Sequence, residues 1–318
     1  MTTTSSSSKI CASVPLAFRA GRPYSNSTLP RNGSHQNGFQ KANDMVGFSG
    51  ELGRSASKMK IQFQDITKTF SGRAGAVLAL DQINVSIEEG EFVCLVGPSG
   101  CGKSTLLNML AGFEKPTTGK VLLDGAPITG PSIERAMMFQ ESALFPWLSA
   151  RGNVEFGLKS LKLPKAERTA LADKYLKMVH LSQFADAQPH ELSGGMKQRV
   201  ALARSLVVDP EVLLMDEPFA ALDAQTRDHL HVEVQNIWRE TRKTIVFVTH
   251  NVREAVTLAT RVLVFTSRPG RIKREFDLNE LDYPRRATES VVAETAAKIQ
   301  NALRDEVAKA EAEEYDAS

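Results

Sequence analysis

At residues 92–105 an apolar run, FVCLV, passes straight into the loop GPSGCGKST, and an amphipathic stretch at 104–111 follows before a stop at Gly112. That is the strand–loop–helix context a phosphate-binding loop requires. Glycines at positions 97, 100 and 102 let the backbone curl so that its N–H groups point inward at an anion. The helix adds the positive end of its dipole at the same place. The whole segment (Gly97, Pro98, Ser99, Gly100, Cys101, Gly102, Lys103, Ser104 and Thr105) is therefore expected to hold a nucleotide. Lys103 would reach the β- and γ-phosphates, and the Ser104 hydroxyl suits Mg²⁺. A unit charge pair at about 4 Å is worth ~4 kcal/mol gross at an effective dielectric near ~20, so loss of Lys103 should cripple binding, hydrolysis or both.

Three apolar runs, at 92–96, 212–215 and 245–248, are short and continuous rather than alternating. Parallel strands covered on both faces read this way. Between them lie amphipathic helices carrying Leu106 and Leu110, then Leu171, Tyr175 and Val179, then Leu202 and Leu206, then Leu230, Val234, Ile237 and Trp238. This alternation predicts an α/β core with a parallel sheet. Residues 61–70 alternate as a half-buried strand. The segment INVSIEEGEFVCLVG (83–97) reads as two strands joined by a Glu-Glu-Gly turn, suiting a small antiparallel sheet. Residues 145–190 show helices and no strand-like run, so an all-helical insertion is expected there. A last amphipathic helix is expected at 286–312, with Val292, Ala296, Ile299, Leu303 and Val307 on one face.

Three further patterns bear on chemistry. In VLLMDEP (212–218) an apolar strand ends in two acids at its C-terminal edge, where open α/β sheets hold ligands. Asp216 is placed to position Mg²⁺, and Glu217 to polarise an attacking water. His250 closes the run 245–249 at the same edge, fit for a γ-phosphate. Gln140 ends RAMMFQ, and its amide suits Mg²⁺ or the water. Finally, LSGGMKQ (192–198) opens a helix: Ser193 is a good N-cap, and Gly194 and Gly195 expose N–H groups to a second anion. Two phosphate-binding devices on one chain imply a composite site.

Composition narrows the partners. The chain has 318 residues, 42% of them hydrophobic, with a net charge of +2, which gives no basis for a nucleic-acid partner. No stretch approaches the roughly 20 apolar residues that span a bilayer, so a membrane role would be peripheral. Cys11, Cys94 and Cys101 have no metal-ligand spacing and fit a reducing compartment. Cys101 reads either as a small residue that fits the loop or as a redox switch. Residues 1–58 are Ser-rich, bear arginines and lack an acid before Asp44. They read as a disordered extension, a transit peptide or the product of a misassigned start.

With these residues quoted, the chain resembles the ATP-binding cassette family over roughly residues 59–280. GPSGCGKST is similar to its Walker A motif, LLMDEP to Walker B, LSGGMKQ to the signature, Gln140 to the Q-loop, 221–223 to the D-loop and His250 to the switch histidine. The resemblance implies a P-loop NTPase fold of the RecA-like kind, α/β with a mixed-sheet core, an antiparallel β subdomain and the inserted helical subdomain. The cassette would occupy 59–285, the helical insertion about 145–190, and a C-terminal helix and tail 286–318. The resemblance further implies ATP and Mg²⁺ as cofactors. It implies a head-to-tail dimer, of two copies or with a close paralogue, in which one chain's Ser193, Gly194 and Gly195 cover ATP on the other's Walker A. Glu217, His250 and Gln140 would be catalytic, and Ser104, Gln140 and Asp216 would hold the metal. Phe70 falls where the family stacks adenine.

FPWLSARGNVEFGL (145–158), TSRPGRI (266–272) and LDYPR (281–285) resemble the nitrate, sulfonate and taurine importer branch. This implies a peripheral subunit on the cytoplasmic face of the inner membrane, or in a plastid or other organelle if 1–58 is a transit peptide. It would energise a transmembrane permease supplied by a periplasmic solute-binding protein. Phe145, Pro146 and Trp147 form either a docking knob for that permease or an internal cluster. Other cargoes, or a non-transport ATPase acting on nucleic acid, are the alternatives.

Overall fold

The structure, a computed structural model, describes residues 58–72 and 75–316, with side chains to 312; the extension expected at 1–58 lies outside the described residues except for Lys58. In chain order the first elements are β1 (Met59–Gly72), β2 (Gly75–Glu88), β3 (Phe92–Val96) and α1 (Lys103–Ala111). Then come β4 (Thr118–Leu123), β5 (Ala126–Pro127), β6 (Arg135–Met138), α2 (Ala150–Leu158), α3 (Lys165–Met178) and α4 (Gly194–Leu206). The chain continues through β7 (Val212–Asp216), α5 (Ala224–Thr241), β8 (Thr244–Val248), α6 (Val252–Leu258), β9 (Arg261–Phe265), β10 (Ile272–Asp277) and α7 (Ser290–Asp316).

Two sheets result. One is antiparallel in the order β2-β1-β4-β5; the other runs β10-β9-β3-β8-β7-β6. In the second, β6, β7, β8, β3 and β9 are parallel and β10 is antiparallel at the edge. The continuous apolar runs follow from this arrangement. Phe92, Cys94 and Val96 of β3 join a core shared with α2 to α7, whereas Val93 and Leu95 join a second core with α1 and the antiparallel sheet. Leu213 and Met215 of β7 turn one way, and Val212 and Leu214 the other. A strand buried on both faces gains about 1.5–3 kcal/mol per large apolar side chain. A one-residue slip would exchange the two sets of side chains, so the register is fixed from both sides.

The structure departs from the sequence reading in two places. The strands either side of the Glu-Glu-Gly turn do not form a hairpin: β2 pairs with β1, and β3 enters the parallel sheet between β8 and β9. The all-apolar β3 needs cover on both faces, which a half-solvated antiparallel sheet does not give. In α7, Val292, Ala296, Ile299 and Leu303 are buried as expected, but Val307 is 39% exposed and Glu306 is buried. The step from 303 to 306 is as good a helical neighbour as 303 to 307. Polar partners for Glu306, described below, decide between them.

Residues 145–190 hold α2, α3 and short 3₁₀ turns. The loop before α2 is built round Asn153, fully buried, whose side chain bonds to both the N–H and the carbonyl of Phe145 and to the carbonyls of Leu148 and Ser149. Among the described residues no helix is long and apolar enough to cross a membrane.

Candidate functional site

Functional side chains collect at the C-terminal edge of the parallel strands. The loop 97–102 leaves β3, Asp216 ends β7 and Glu217 follows it, and His250 lies two residues beyond β8. Gly102 caps α1 with φ 95°, and a Cβ there would meet Leu80 Cδ2 at 2.6 Å. Only glycine supplies both the backbone angle and the space. No side chain caps α1, and no acid sits in its first turn. Its leading N–H groups and dipole therefore face the loop, the arrangement that attracts phosphate.

Lys103 is buried. Its Nζ donates to the carbonyls of Gly97 at 2.9 Å and Pro98 at 2.8 Å, and lies 3.5 Å from Cys101 Sγ. Burial pushes the Cys101 thiol up, against the pull of Lys103. A protonated, enclosed thiol is a poor nucleophile, so the small-residue reading of Cys101 fits better than the redox one.

Ser104 Oγ donates to Asp216 Oδ1 at 3.0 Å, joining the loop to the strand acid. Burial raises the Asp216 carboxyl above the usual range; Glu217 adds to this, and the bond from Ser104 and the charge of Lys103 oppose it. Glu217 adopts φ 45°, unusual for a residue with a Cβ, and its N–H is tied to Val248 O at 3.0 Å. The backbone thus turns the carboxylate out of the sheet. Glu217 Oε2 lies 2.9 Å from His250 Nδ1, and His250 is itself mostly exposed. A carboxylate held by an imidazole at an anion loop can take a proton from water, provided a reacting group sits between them.

An open cleft of about 430 Å³ is lined by Phe70, Val77, Ala79, residues 99–105, Glu217 and Arg268. Phe70 is half-exposed and lines the cleft beside the loop, and Lys68 Nζ stands over its ring, 4.7 Å from the centroid. Gln140 is exposed and is tied to α4 through its carbonyl, which accepts from Gln198 Nε2 at 2.8 Å. Neither Gln140 nor residues 193–195 line the cleft. Ser193 caps α4, its Oγ accepting from Met196 N at 3.3 Å, and Gly194 beside it is exposed. A Cβ on Gly195 would come within 2.3 Å of Thr226 Cγ2 on α5.

A family profile described as ABC transporter matches residues 80–220. An uncharacterized ABC transporter ATP-binding protein of Methanocaldococcus jannaschii is 51% identical over 256 residues, 80% of this chain and 96% of that protein. The chain belongs to the ABC transporter ATP-binding family. Two other relatives of the cassette agree. The nitrate import ATP-binding protein NrtD of Synechocystis is 52% identical over 221 residues, 70% of this chain and 83% of that one. A bacterial ABC transporter cassette solved as a dimer superposes with TM-score 0.62 at 35% identity, covering 69% of this chain and 98% of that one. The cassette is accordingly an α/β P-loop NTPase that binds and hydrolyses ATP.

Sequence reasoning missed Arg268 at this site. The available signal was its position three residues beyond β9, on the sheet edge that already supplied His250. The Phe145 cluster is divided: Phe145 is half-buried, 4.2 Å from Phe156 and 5.6 Å from Arg204, whereas Trp147 is 72% exposed.

Proposed function

We propose that this chain energises uptake of a small anion of the nitrate, sulfonate or taurine type, working as one half of a face-to-face dimer beneath a separate permease. The observation that carries the dimer is the separation of the two anion devices. Residues 99–105 line the cleft with Glu217, whereas the exposed helix end at Ser193 and Gly194 is no part of it. A helix N-terminus presenting free donors to solvent suits an anion brought by another copy. ATP on one chain's Lys103 loop would be closed over by the other chain's Ser193, Gly194 and Gly195. The solved relative that is dimeric supports this pairing.

Mg²⁺ fits the residues present: Ser104 Oγ and Asp216 Oδ1 are hard oxygen donors 3.0 Å apart, and a cation would favour the carboxylate that burial disfavours. Bound there, Mg²⁺ would offset negative charge on the phosphate oxygens; Gln140 is a further candidate ligand. In the proposed reaction Glu217 accepts the proton of the attacking water as the bond to the γ-phosphate forms, giving ADP and phosphate. His250 holds Glu217 in place and donates towards the γ-phosphate. Lys103 neutralises developing charge. Phe70 stacks the adenine.

Phe145, Pro146 and Trp147 are proposed to receive the permease, Trp147 being the exposed anchor of a loop braced by Asn153. The chain would then sit peripherally on the cytoplasmic face of the inner membrane, with a periplasmic binding protein delivering cargo on the other side. A site shared between chains makes ATPase activity per mole rise with protein concentration. Activity strictly proportional to concentration at nanomolar protein would rule the shared site out. Reconstitution with permease and binding protein tests the cargo: nitrate, a sulfonate or taurine should stimulate ATPase activity severalfold, and stimulation only by an unrelated solute would replace the cargo assignment.

A further inference from the structure

The loop 266–270 brings an arginine to the nucleotide cleft, and the C-terminal helix holds that loop. Arg268 is exposed and lines the cleft. Its Nη2 lies 3.0 Å from where a Gly100 Cβ would stand, and its Nε is 3.5 Å from Gly100 O, too long for a strong bond. The neighbouring Arg271 is spent otherwise: it pairs with Asp81 through two of its nitrogens. Arg268 has no carboxylate partner among the described residues. A guanidinium has five donors in a planar fork that matches phosphate oxygens. Here it stands unpaired beside a phosphate loop.

Contacts with β2, the loop at 97–102 and α7 fix the segment that carries it. Gly270 N donates to Ala79 O at 2.9 Å and Asp81 N to Gly270 O at 3.0 Å, joining the loop to β2. A Cβ on Gly270 would fall 2.0 Å from Cys101 O, so the loop lies directly on the phosphate-loop backbone. On the other side, Glu306 of α7 accepts from Ser267 N at 3.0 Å and Ser267 Oγ at 3.2 Å. Its second oxygen accepts from Lys273 Nζ at 2.8 Å. Burial alone would raise the Glu306 carboxyl, but Lys273 and Ser267 hold it down at about 2. The brace is therefore a buried, ionised carboxylate with partners on β10 and on the loop. An apolar residue at 306 would leave Ser267 N unsatisfied.

We propose that Arg268 is a nucleotide-binding residue, a second cation on the polyphosphate beside Lys103, and that Glu306 of α7 is a positioning residue that sets it there. This rests on the cleft being the ATP site. It gives α7 a purpose beyond packing, because whatever shifts the helix near Glu306 reaches the nucleotide through one loop.

The test is titration of the full chain with a fluorescent ATP analogue, at concentrations too low for pairing. Arg268→Ala should weaken binding about tenfold, close to the low end for a bond to a charged group because the side chain is exposed. Arg268→Lys, which keeps charge without the fork, should lose roughly threefold. Glu306→Ala should weaken binding by a similar threefold in the wild-type background and have no effect in the Arg268→Ala background. A merely structural role for Glu306 would lower affinity equally in both. Ser267→Ala replaces Glu306→Ala in the cycle if the latter fails to fold by circular dichroism. Wild-type affinity in Arg268→Ala, or equal effects of Glu306→Ala in both backgrounds, would overturn the proposal. Lys103→Ala separates the two levels. If it alone loses binding, only the Arg268 assignment falls; if it too binds normally, the cleft is not the nucleotide site.

Discussion

The phosphate loop before α1 and the Ser193 turn before α4 are both glycine-bearing helix starts, yet they are finished in opposite ways. At α1 the cap is Gly102, no side chain takes the leading N–H groups, and a buried lysine stands within the loop. At α4 the cap is Ser193, whose own hydroxyl accepts from Met196 N, and the turn is exposed with no cation enclosed by it. In the proposed reading the first binds an anion on its own, because dipole, N–H groups and charge converge there. The second has the dipole and some donors but spends one of them on its own cap. In the proposed reading it completes a site only when another copy supplies the nucleotide.

The harshest test of that contrast removes the chemistry and keeps both halves. Glu217→Gln should cut ATP turnover by about 10²–10⁴, the usual worth of a general base. An ATP-dependent dimer should then accumulate on gel filtration, because the bound state no longer discharges. If the variant turns over normally, or stays monomeric with ATP, Glu217 does not have this role.

A gentler, reciprocal pair of substitutions asks whether the two helix starts differ in kind. Lys103→Ala should weaken ATP binding to the isolated chain by roughly 100-fold, since a charged bond in an enclosed loop is lost. Ser193→Ala should leave that affinity unchanged, lower stability by about 1 kcal/mol through loss of the cap, and weaken ATP-driven pairing roughly tenfold. Isothermal titration and sedimentation read the two quantities separately. Should Ser193→Ala weaken binding to the lone chain as much as Lys103→Ala, the two devices belong to one intramolecular pocket.

Much of this contrast is legible in the sequence, for specific physical reasons. The phosphate loop shows because glycine at fixed offsets, a lysine and an apolar strand are all forced by one task. The double-sided burial of Phe92 to Val96 leaves an unbroken apolar run, so β3, β7 and β8 could be read directly. The partnering of β2 and β3 could not, because a turn motif reports only that the chain bends and not which sheet receives each strand. Arg268 stayed hidden for a related reason: an exposed arginine in a loop has no periodicity, and its place beside Gly100 depends on β9 lying next to β3. Sequence patterning favours Val307 over Glu306 because it cannot see a polar partner 39 residues away in the chain.

The smallest expected effect is that of Gly194→Ala, which should differ from Gly195→Ala at the next position of the same turn. A Cβ on Gly194 meets nothing nearer than Leu222 Cδ2 at 3.7 Å, whereas one on Gly195 would be driven within 2.3 Å of Thr226 Cγ2. Gly194→Ala should therefore change thermal stability little, and Gly195→Ala should cost about 1–3 kcal/mol by overpacking α4 against α5. Thr226→Ser deletes the offending methyl, so the double variant Gly195→Ala, Thr226→Ser should recover most of that loss in thermal denaturation. If ATP-driven pairing recovers with it, Gly195 is glycine because α5 lies close behind it. If stability returns and pairing does not, the backbone at 195 must itself approach the nucleotide. The proposed shared site expects the second result, since a methyl added beside the helix start would hold an incoming phosphate away from the N–H groups meant for it.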